Sequence, residues 1–276
     1  MEVALQFAGR SRTRLVVIGA AAAAAALAVA VAPAAGAASA HYVALGDSYS
    51  SGVGAGSYTS ASGDCDRSTN AASQLWANSH APASYASVAC SGAKTTDVTA
   101  NQLSALSSTT TLVSITIGGN DVNFSGVMED CVLYSTSTCV SEVNTAEANA
   151  RAQLPGLLNT VYNNIRSHAP NAKVVVLGYP EFYDLSQSSG CVGLSTQDRT
   201  AIDQGSDLLD SIIATATGSH TNFVFEDVRS YFVGHQICDS NSWMHSTNWL
   251  DLDESYHPTA SGQSGAYLPA LTKATG

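Results

Sequence analysis

Four short stretches of the chain carry residue types that could do chemistry together. They are Gly46-Asp47-Ser48-Tyr49-Ser50, Cys90-Ser91-Gly92-Ala93, Gly118-Gly119-Asn120-Asp121 and Asp253-Glu254-Ser255-Tyr256-His257-Pro258. A serine hydroxyl becomes a nucleophile only when a base takes its proton and fixed donors hold the oxyanion that follows. Ser48 could be that nucleophile and His257 the base. Glu254, three residues before the histidine, could accept from the other imidazole nitrogen and fix the tautomer. The backbone N–H groups of Ser48 and Gly92 and the side-chain amide of Asn120 could supply the oxyanion donors, and a glycine at 92 lets its backbone approach a substrate closely. Each piece alone is ordinary: Gly-Asp-Ser and Gly-Gly-Asn-Asp are turn sequences, and the other six histidines have no motif around them. Asp47 and Asp121 read as hydrogen-bonding residues of their own turns and are assigned no chemistry.

The elements that must position these residues give them weight. Short apolar runs at Tyr42–Gly46, Tyr85–Ala89, Leu112–Ile117, Lys173–Gly178 and Phe223–Phe225 read as five strands, of the continuous kind that fills a parallel sheet covered on both faces. Helical patterns fall between them: Thr96 to Leu106, Ser141 to His168 with a break expected at Pro155, Thr196 to Thr217 with a stripe of Ile202, Leu208, Leu209, Ile212 and Ile213, and Ala260 to Ala274 at the end. Alternating strands and helices predict an α/β three-layer sandwich. In open parallel sheets ligands bind outside the carboxyl ends of the strands, and three of the four stretches sit at predicted strand exits. Segments 50–73 and 186–196 read as loops, and loops 50–73, 123–140 and 179–196 would shape selectivity.

Composition narrows the classes. The 276 residues are 45% hydrophobic and only 12% charged, with a net charge of −11. That is too apolar for a disordered chain, too acidic to neutralise nucleic-acid phosphates, and wrong in sign for an anionic membrane surface. Arg10, Arg12 and Arg14 precede an uninterrupted apolar run from Leu15 to Val31, and Ala38-Ser39-Ala40 fits a small-x-small cleavage site. This predicts a secretory leader over residues 1–40, followed by one domain over 41–276 and no lasting membrane anchor. The six cysteines, Cys65, Cys90, Cys131, Cys139, Cys191 and Cys238, all lie in that body. An even number in an exported chain reads as disulfides, with fifteen possible connectivities, nearest-in-sequence pairing being one.

As a set, Gly46-Asp47-Ser48-Tyr49, Gly92, Gly118-Gly119-Asn120-Asp121 and Glu254-x-x-His257-Pro258 resemble the four blocks of the SGNH (GDSL) hydrolase family. The likeness runs from Tyr42 to about Pro269, and the long first block with the six cysteines is similar to secreted actinobacterial lipases and esterases. The resemblance implies a flavodoxin-like α/β/α fold with a parallel five-stranded sheet. It implies Ser48 as nucleophile, His257 as base, and an oxyanion hole of Ser48 N–H, Gly92 N–H and the Asn120 side chain. It also implies the pairs Cys65–Cys90, Cys131–Cys139 and Cys191–Cys238. The family has Asp where this chain has Glu254, and some relatives use a main-chain carbonyl there, so both orienters stay open, with Asp253 a fallback.

Rival readings are weaker. Gly52-x-Gly54 is half a dinucleotide loop without its third glycine, and the Gly-x-Ser-x-Gly elbow of α/β-hydrolases is absent because position 50 is Ser. A sugar-binding module could use Tyr49, Tyr58, Trp76, Trp243 and Trp249, but would not need Ser48 and His257 together. The expectation is a secreted, monomeric esterase or lipase acting on a small-molecule or lipid ester, with a carbohydrate acetylesterase or phospholipase of the same fold as the alternative, and with no nucleic-acid partner and no metal or cofactor required. Its activity should fall below roughly pH 6 as His257 protonates.

Overall fold

The computed structural model of the protein describes residues 39–187 and 193–276. All but the end of the expected leader, and Cys191 with its expected bond to Cys238, lie outside the described residues.

Five strands form one parallel sheet: β1 (His41–Gly46), β2 (Ser84–Ser87), β3 (Leu112–Thr116), β4 (Lys173–Leu177) and β5 (Phe223–Glu226), in spatial order β2-β1-β3-β4-β5. β3 is buried along its whole length and β1 from Tyr42 onward, as the continuous apolar runs required. Because β2, β1 and β3 are neighbours and parallel, their carboxyl ends lie side by side. The ladder continues past the strands, with Cys90 N–H donating to the Gly46 carbonyl and Asp47 N–H to the Thr116 carbonyl, both at 3.0 Å. Three of the chemically suggestive stretches therefore leave the sheet at one edge region.

Six helices matter for the argument: α1 (Ser48–Ser51), α2 (Ala72–His80), α3 (Phe124–Leu133), α4 (Thr136–His168), α5 (Thr196–Gly218) and α6 (Leu268–Thr275). α4 and α5 pack against each other, α6 packs on α2, and with the sheet between these pairs the architecture is a three-layer α/β/α sandwich. Arg166, in the last turn of α4, donates to the carbonyls of Ala169, Pro170, Ala172 and Thr221 at 2.9–3.1 Å. It satisfies carbonyls at the helix end and ties it to the segments that lead into β4 and β5.

The elements differ from the sequence reading in four places. α4 runs through Pro155 without a break. A proline there removes one helical hydrogen bond, but Leu154 and Leu158 on either side are buried, and packing of that face holds the helix together. α3 is a helix where a loop was expected, and α2 is a helix over a stretch that, past residue 73, carries no expected element. The stretch from Thr96 to Leu106 is three short turns: Thr95–Asp97, a π-helical turn at Val98–Gln102, and Leu103–Ala105. The final helix is likewise interrupted by a π-helical turn at Gln263–Tyr267. Both π turns carry a buried glutamine whose side chain bonds backbone elsewhere, and such register shifts occur where a side chain must be aimed.

Among the described residues two disulfides can be traced end to end, Cys65–Cys90 and Cys131–Cys139. The first ties the loop after α1 to the exit of β2, where Ser91 N–H also donates to the Cys65 carbonyl at 3.2 Å. The second joins α3 to the start of α4.

Candidate active site

The turn after β1 begins at Gly46, whose φ of +120° lies in the region that favours glycine, and where a Cβ would collide with the Thr116 carbonyl. Asp47 caps α1, its Oδ1 accepting from Tyr49 N–H at 3.0 Å. Its other oxygen accepts from the Tyr179 hydroxyl, and that hydroxyl accepts from Gly119 N–H at 3.0 Å. Burial pushes the Asp47 carboxyl up to about 7, against the opposing effect of the Tyr179 hydrogen bond. The residue beside the serine thus spends one oxygen on capping α1 and the other on reaching, through Tyr179, the exits of β4 and β3.

Two glutamines that sequence reasoning missed clamp the same turn. The Gln102 amide accepts from Gly46 N–H at 2.8 Å and donates to the Gly46 carbonyl at 2.9 Å. Gln263 donates to the Tyr49 carbonyl at 3.0 Å and accepts from Ala72 N–H at 2.9 Å. The backbone on both sides of Ser48 is held by side chains from distant segments. The only sequence signal was a polar residue on each of two otherwise apolar helical faces.

Ser48 stands on the first turn of α1. Its Oγ lies 2.7 Å from His257 Nε2. His257 Nδ1 lies 3.0 Å from the Ser255 carbonyl. A carbonyl only accepts, so Nδ1 carries the proton and Nε2 presents its lone pair to the serine hydroxyl. Removal from water lowers the imidazole from its usual 6.5 to about 4, although the Ser255 carbonyl pulls the other way. The fall in activity expected below pH 6 took the ordinary value of an imidazole, and the half-buried ring at the cleft moves that limit down.

Glu254 is not the partner of the imidazole. Its carboxylate accepts from the Tyr58 hydroxyl at 2.7 Å, and Tyr58 accepts from Gly54 N–H at 2.9 Å. The reason is backbone shape. Glu254 ends a 3-10 turn, Ser255 is extended, and Tyr256 has a φ of +62°. This bend brings the Ser255 carbonyl, not the carboxylate, to Nδ1. Tyr49, next to the serine, donates its hydroxyl to the Tyr256 carbonyl at 2.6 Å, and Thr247 and Tyr256 join hydroxyls at 2.7 Å. His245 pairs its backbone with His257 and Tyr256 and joins its ring to the Gly54 carbonyl at 2.8 Å.

Ser48, Gly92, Asn120 and His257 line one cleft of about 400 Å³. Gly92 has a φ of +73° and open space where a Cβ would point. One N–H of the Asn120 amide donates to the Ala93 carbonyl at 3.1 Å, which binds the β3 exit to the β2 exit and leaves the amide a second N–H. Asp121 accepts from the backbone and hydroxyl of Thr95 at 2.7–3.3 Å, and burial raises its carboxyl. A smaller apolar cavity of about 60 Å³ lies behind Phe124 and Met128, which also border the cleft. Of the aromatic residues considered for sugar stacking, Tyr49 and Trp76 are buried, Trp243 is stacked on His235, and Tyr58 is bonded to Glu254. Trp249 alone of that set is both exposed and on the cleft.

The profile of the GDSL-like Lipase/Acylhydrolase family matches residues 44–264. The chain is 56% identical over 233 residues to Lipase 1 of Streptomyces coelicolor, covering 84% of this chain and 86% of the relative. It is similar to the crystal structure of phospholipase A1 from Streptomyces albidoflavus NA297, with a TM-score of 0.83 and 53% identity over 86% of this chain and 99% of that one. It is also similar to the crystal structure of an extracellular lipase from Streptomyces rimosus, with a TM-score of 0.81 and 50% identity over 84% and 98% of the two chains.

Proposed function

From the premise that the chain belongs to the GDSL-like lipase/acylhydrolase family, and is therefore a carboxylic ester hydrolase, we propose that it is an exported lipase that cleaves fatty acyl esters, glycerides or phospholipids, through an acyl-serine on Ser48. The observation that carries the assignment is the 2.7 Å contact between Ser48 Oγ and His257 Nε2. His257 takes the hydroxyl proton as Ser48 attacks the ester carbonyl. The Ser255 carbonyl holds Nδ1–H and steadies the imidazolium, so the working unit is a serine and a histidine with a main-chain acceptor in place of a carboxylate. Ser48 N–H, Gly92 N–H and the Asn120 amide receive the negative oxygen of the tetrahedral intermediate. His257 then gives its proton to the departing alcohol, and a water repeats the sequence to release the acid.

Fatty esters are favoured over acetylated sugars because the cleft has Phe124, Met128 and Val132 on one wall and Trp249 and Leu252 on another. The names of the relatives, two lipases and a phospholipase A1, support the same class. Residues 1–40 serve as the leader and are removed, and residues 41–276 form the single, monomeric catalytic domain. Purified protein should hydrolyse a p-nitrophenyl ester series with a preference for longer chains and should act on phospholipid but not on acetylated xylan. Ser48→Ala or His257→Ala should remove about 10⁴–10⁶ of kcat while circular dichroism stays unchanged. Retained hydrolysis by folded Ser48→Ala would refute the mechanism.

A further inference from the structure

Large apolar side chains left in water gather around the cleft mouth. Among the described residues eight are conspicuously exposed, and five belong to two segments there: Leu133 (52% exposed) and Tyr134 (63%) at the end of α3, and Trp249 (67%), Leu250 (99%) and Leu252 (62%) in the loop before His257. Scattered exposed leucines are ordinary, but a patch that rims a cleft marks an interaction surface. Leu133, Trp249 and Leu252 line the cleft itself, so whatever covers the patch also faces Ser48.

The charge around the patch selects the partner. Glu129 and Asp253 line the cleft, and no lysine or arginine does among the described residues. Burial raises the Asp66 carboxyl, and Asp253, Asp64, Asp251 and Glu254 lie close enough to raise it further. An anionic lipid surface attracts lysine and arginine and repels such carboxylates. A zwitterionic surface of phosphatidylcholine type presents its ammonium groups outermost, where carboxylates meet them favourably, and apolar side chains with a tryptophan suit the headgroup boundary.

We propose that the rim formed by Leu133, Tyr134, Trp249, Leu250 and Leu252 docks the protein on a zwitterionic phospholipid surface and sets the cleft mouth against it. This rests on the reading of the protein as a lipid ester hydrolase. In the docked state an acyl chain passes from the lipid to Ser48 along an apolar wall.

The test uses the purified protein without its leader. The variant is Leu250→Ser combined with Tyr134→Ser, two exposed positions outside the cleft lining. Sedimentation with vesicles measures binding to pure phosphatidylcholine and to phosphatidylcholine mixed with phosphatidylglycerol. A water-soluble short-chain p-nitrophenyl ester measures chemistry away from any surface. The wild type should bind phosphatidylcholine, and the variant about 10-fold or more weakly, with vesicle hydrolysis falling in parallel and soluble-ester hydrolysis unchanged. Phosphatidylglycerol should weaken wild-type binding, and salt should relieve that effect. Equal binding by variant and wild type, no wild-type binding to phosphatidylcholine, or tighter binding with phosphatidylglycerol would each overturn the proposal. Wild-type protein that docks as described but cleaves no ester would instead overturn the enzymatic reading and leave the docking surface standing.

Discussion

His257 faces a carbonyl on one nitrogen and a hydroxyl on the other, and neither contact brings a negative charge to the ring. Without a carboxylate to stabilise the imidazolium, burial sets its proton affinity, near 4 instead of 6.5. A base must be neutral to act, and His257 is neutral above that value, so the acid limb of kcat/KM should fall near pH 4 to 5 and activity at pH 5.5 should stay close to its plateau. A limb centred at 6.5 in a pH profile would mean a solvated imidazole and a different site geometry. The same contacts predict that Glu254→Gln costs little, within about 10-fold in kcat, since Gln can still accept from Tyr58. His257→Ala should cost about 10⁴-fold or more. Measured side by side, a Glu254→Gln loss as deep as that of His257→Ala would restore the carboxylate to the imidazole. Ser48, Gly92, Asn120 and His257 were legible as candidates because each residue type is needed for one step and each sits at a chain feature that periodicity reveals. The orienting acceptor was not, because the three-residue spacing of Glu254 and His257 fits a carboxylate partner equally well until the positive φ of Tyr256 is known. No local pattern announces a tyrosine in that conformation.

The strands and the two long helices were readable because burial writes itself into their residue patterns: continuous apolar runs for a covered sheet and a helical stripe on α5. What escaped are elements whose stability comes from elsewhere. α3 has a short buried face of Val127, Met128 and Cys131, and a disulfide anchors its end to α4. The interrupted stretches at Val98–Gln102 and Gln263–Tyr267 follow buried glutamines that serve the Ser48 turn, a demand set by tertiary contacts. The Cys65–Cys90 bond belongs to this level too, since it spans 25 residues and grips the β2 exit just before Gly92. Replacing both cysteines by serine should destabilise the fold by about 2–4 kcal/mol, read as a lower melting temperature. It should also lower kcat more than it raises KM, because a loosened Gly92 loop fails the oxyanion more than the bound ester. An unchanged kcat at a temperature where the variant is fully folded would separate the disulfide from the donor loop.

Over the whole molecule the acidic composition has an internal counterpart that no sequence pattern announced. Besides Asp47, two of the three buried carboxylates of α5 bond the backbone after β4: Asp203, which accepts from the backbone of Phe182 and Tyr183 at 2.8 and 3.2 Å, and Asp210, which accepts from Tyr179 N–H at 2.8 Å. They hold the segment after β4 against α5, which also fixes Tyr179 under Asp47. Burial raises Asp203 to about 7 and Asp210 to about 8, the latter in spite of Arg229 beside it. Each carboxyl is thus protonated in the folded chain at a pH where the unfolded chain, near 3.8, has already released its proton. Between about pH 4 and pH 8 the native state holds more protons than the unfolded state, so these three groups lose stability as pH rises. His257 acts in the opposite sense between 4 and 6.5, where the unfolded chain takes up a proton that the folded one refuses. Three carboxyls outweigh one imidazole, and above 6.5 only the carboxyls act. The urea midpoint should therefore fall from pH 6 to pH 8. Asp203→Asn imitates the protonated carboxyl and keeps an acceptor for Phe182 and Tyr183, so it should flatten that decline while leaving stability at pH 5 nearly unchanged. A wild-type midpoint that climbs steadily from pH 6 to pH 8 would mean that these carboxylates are charged and compensated in the folded protein.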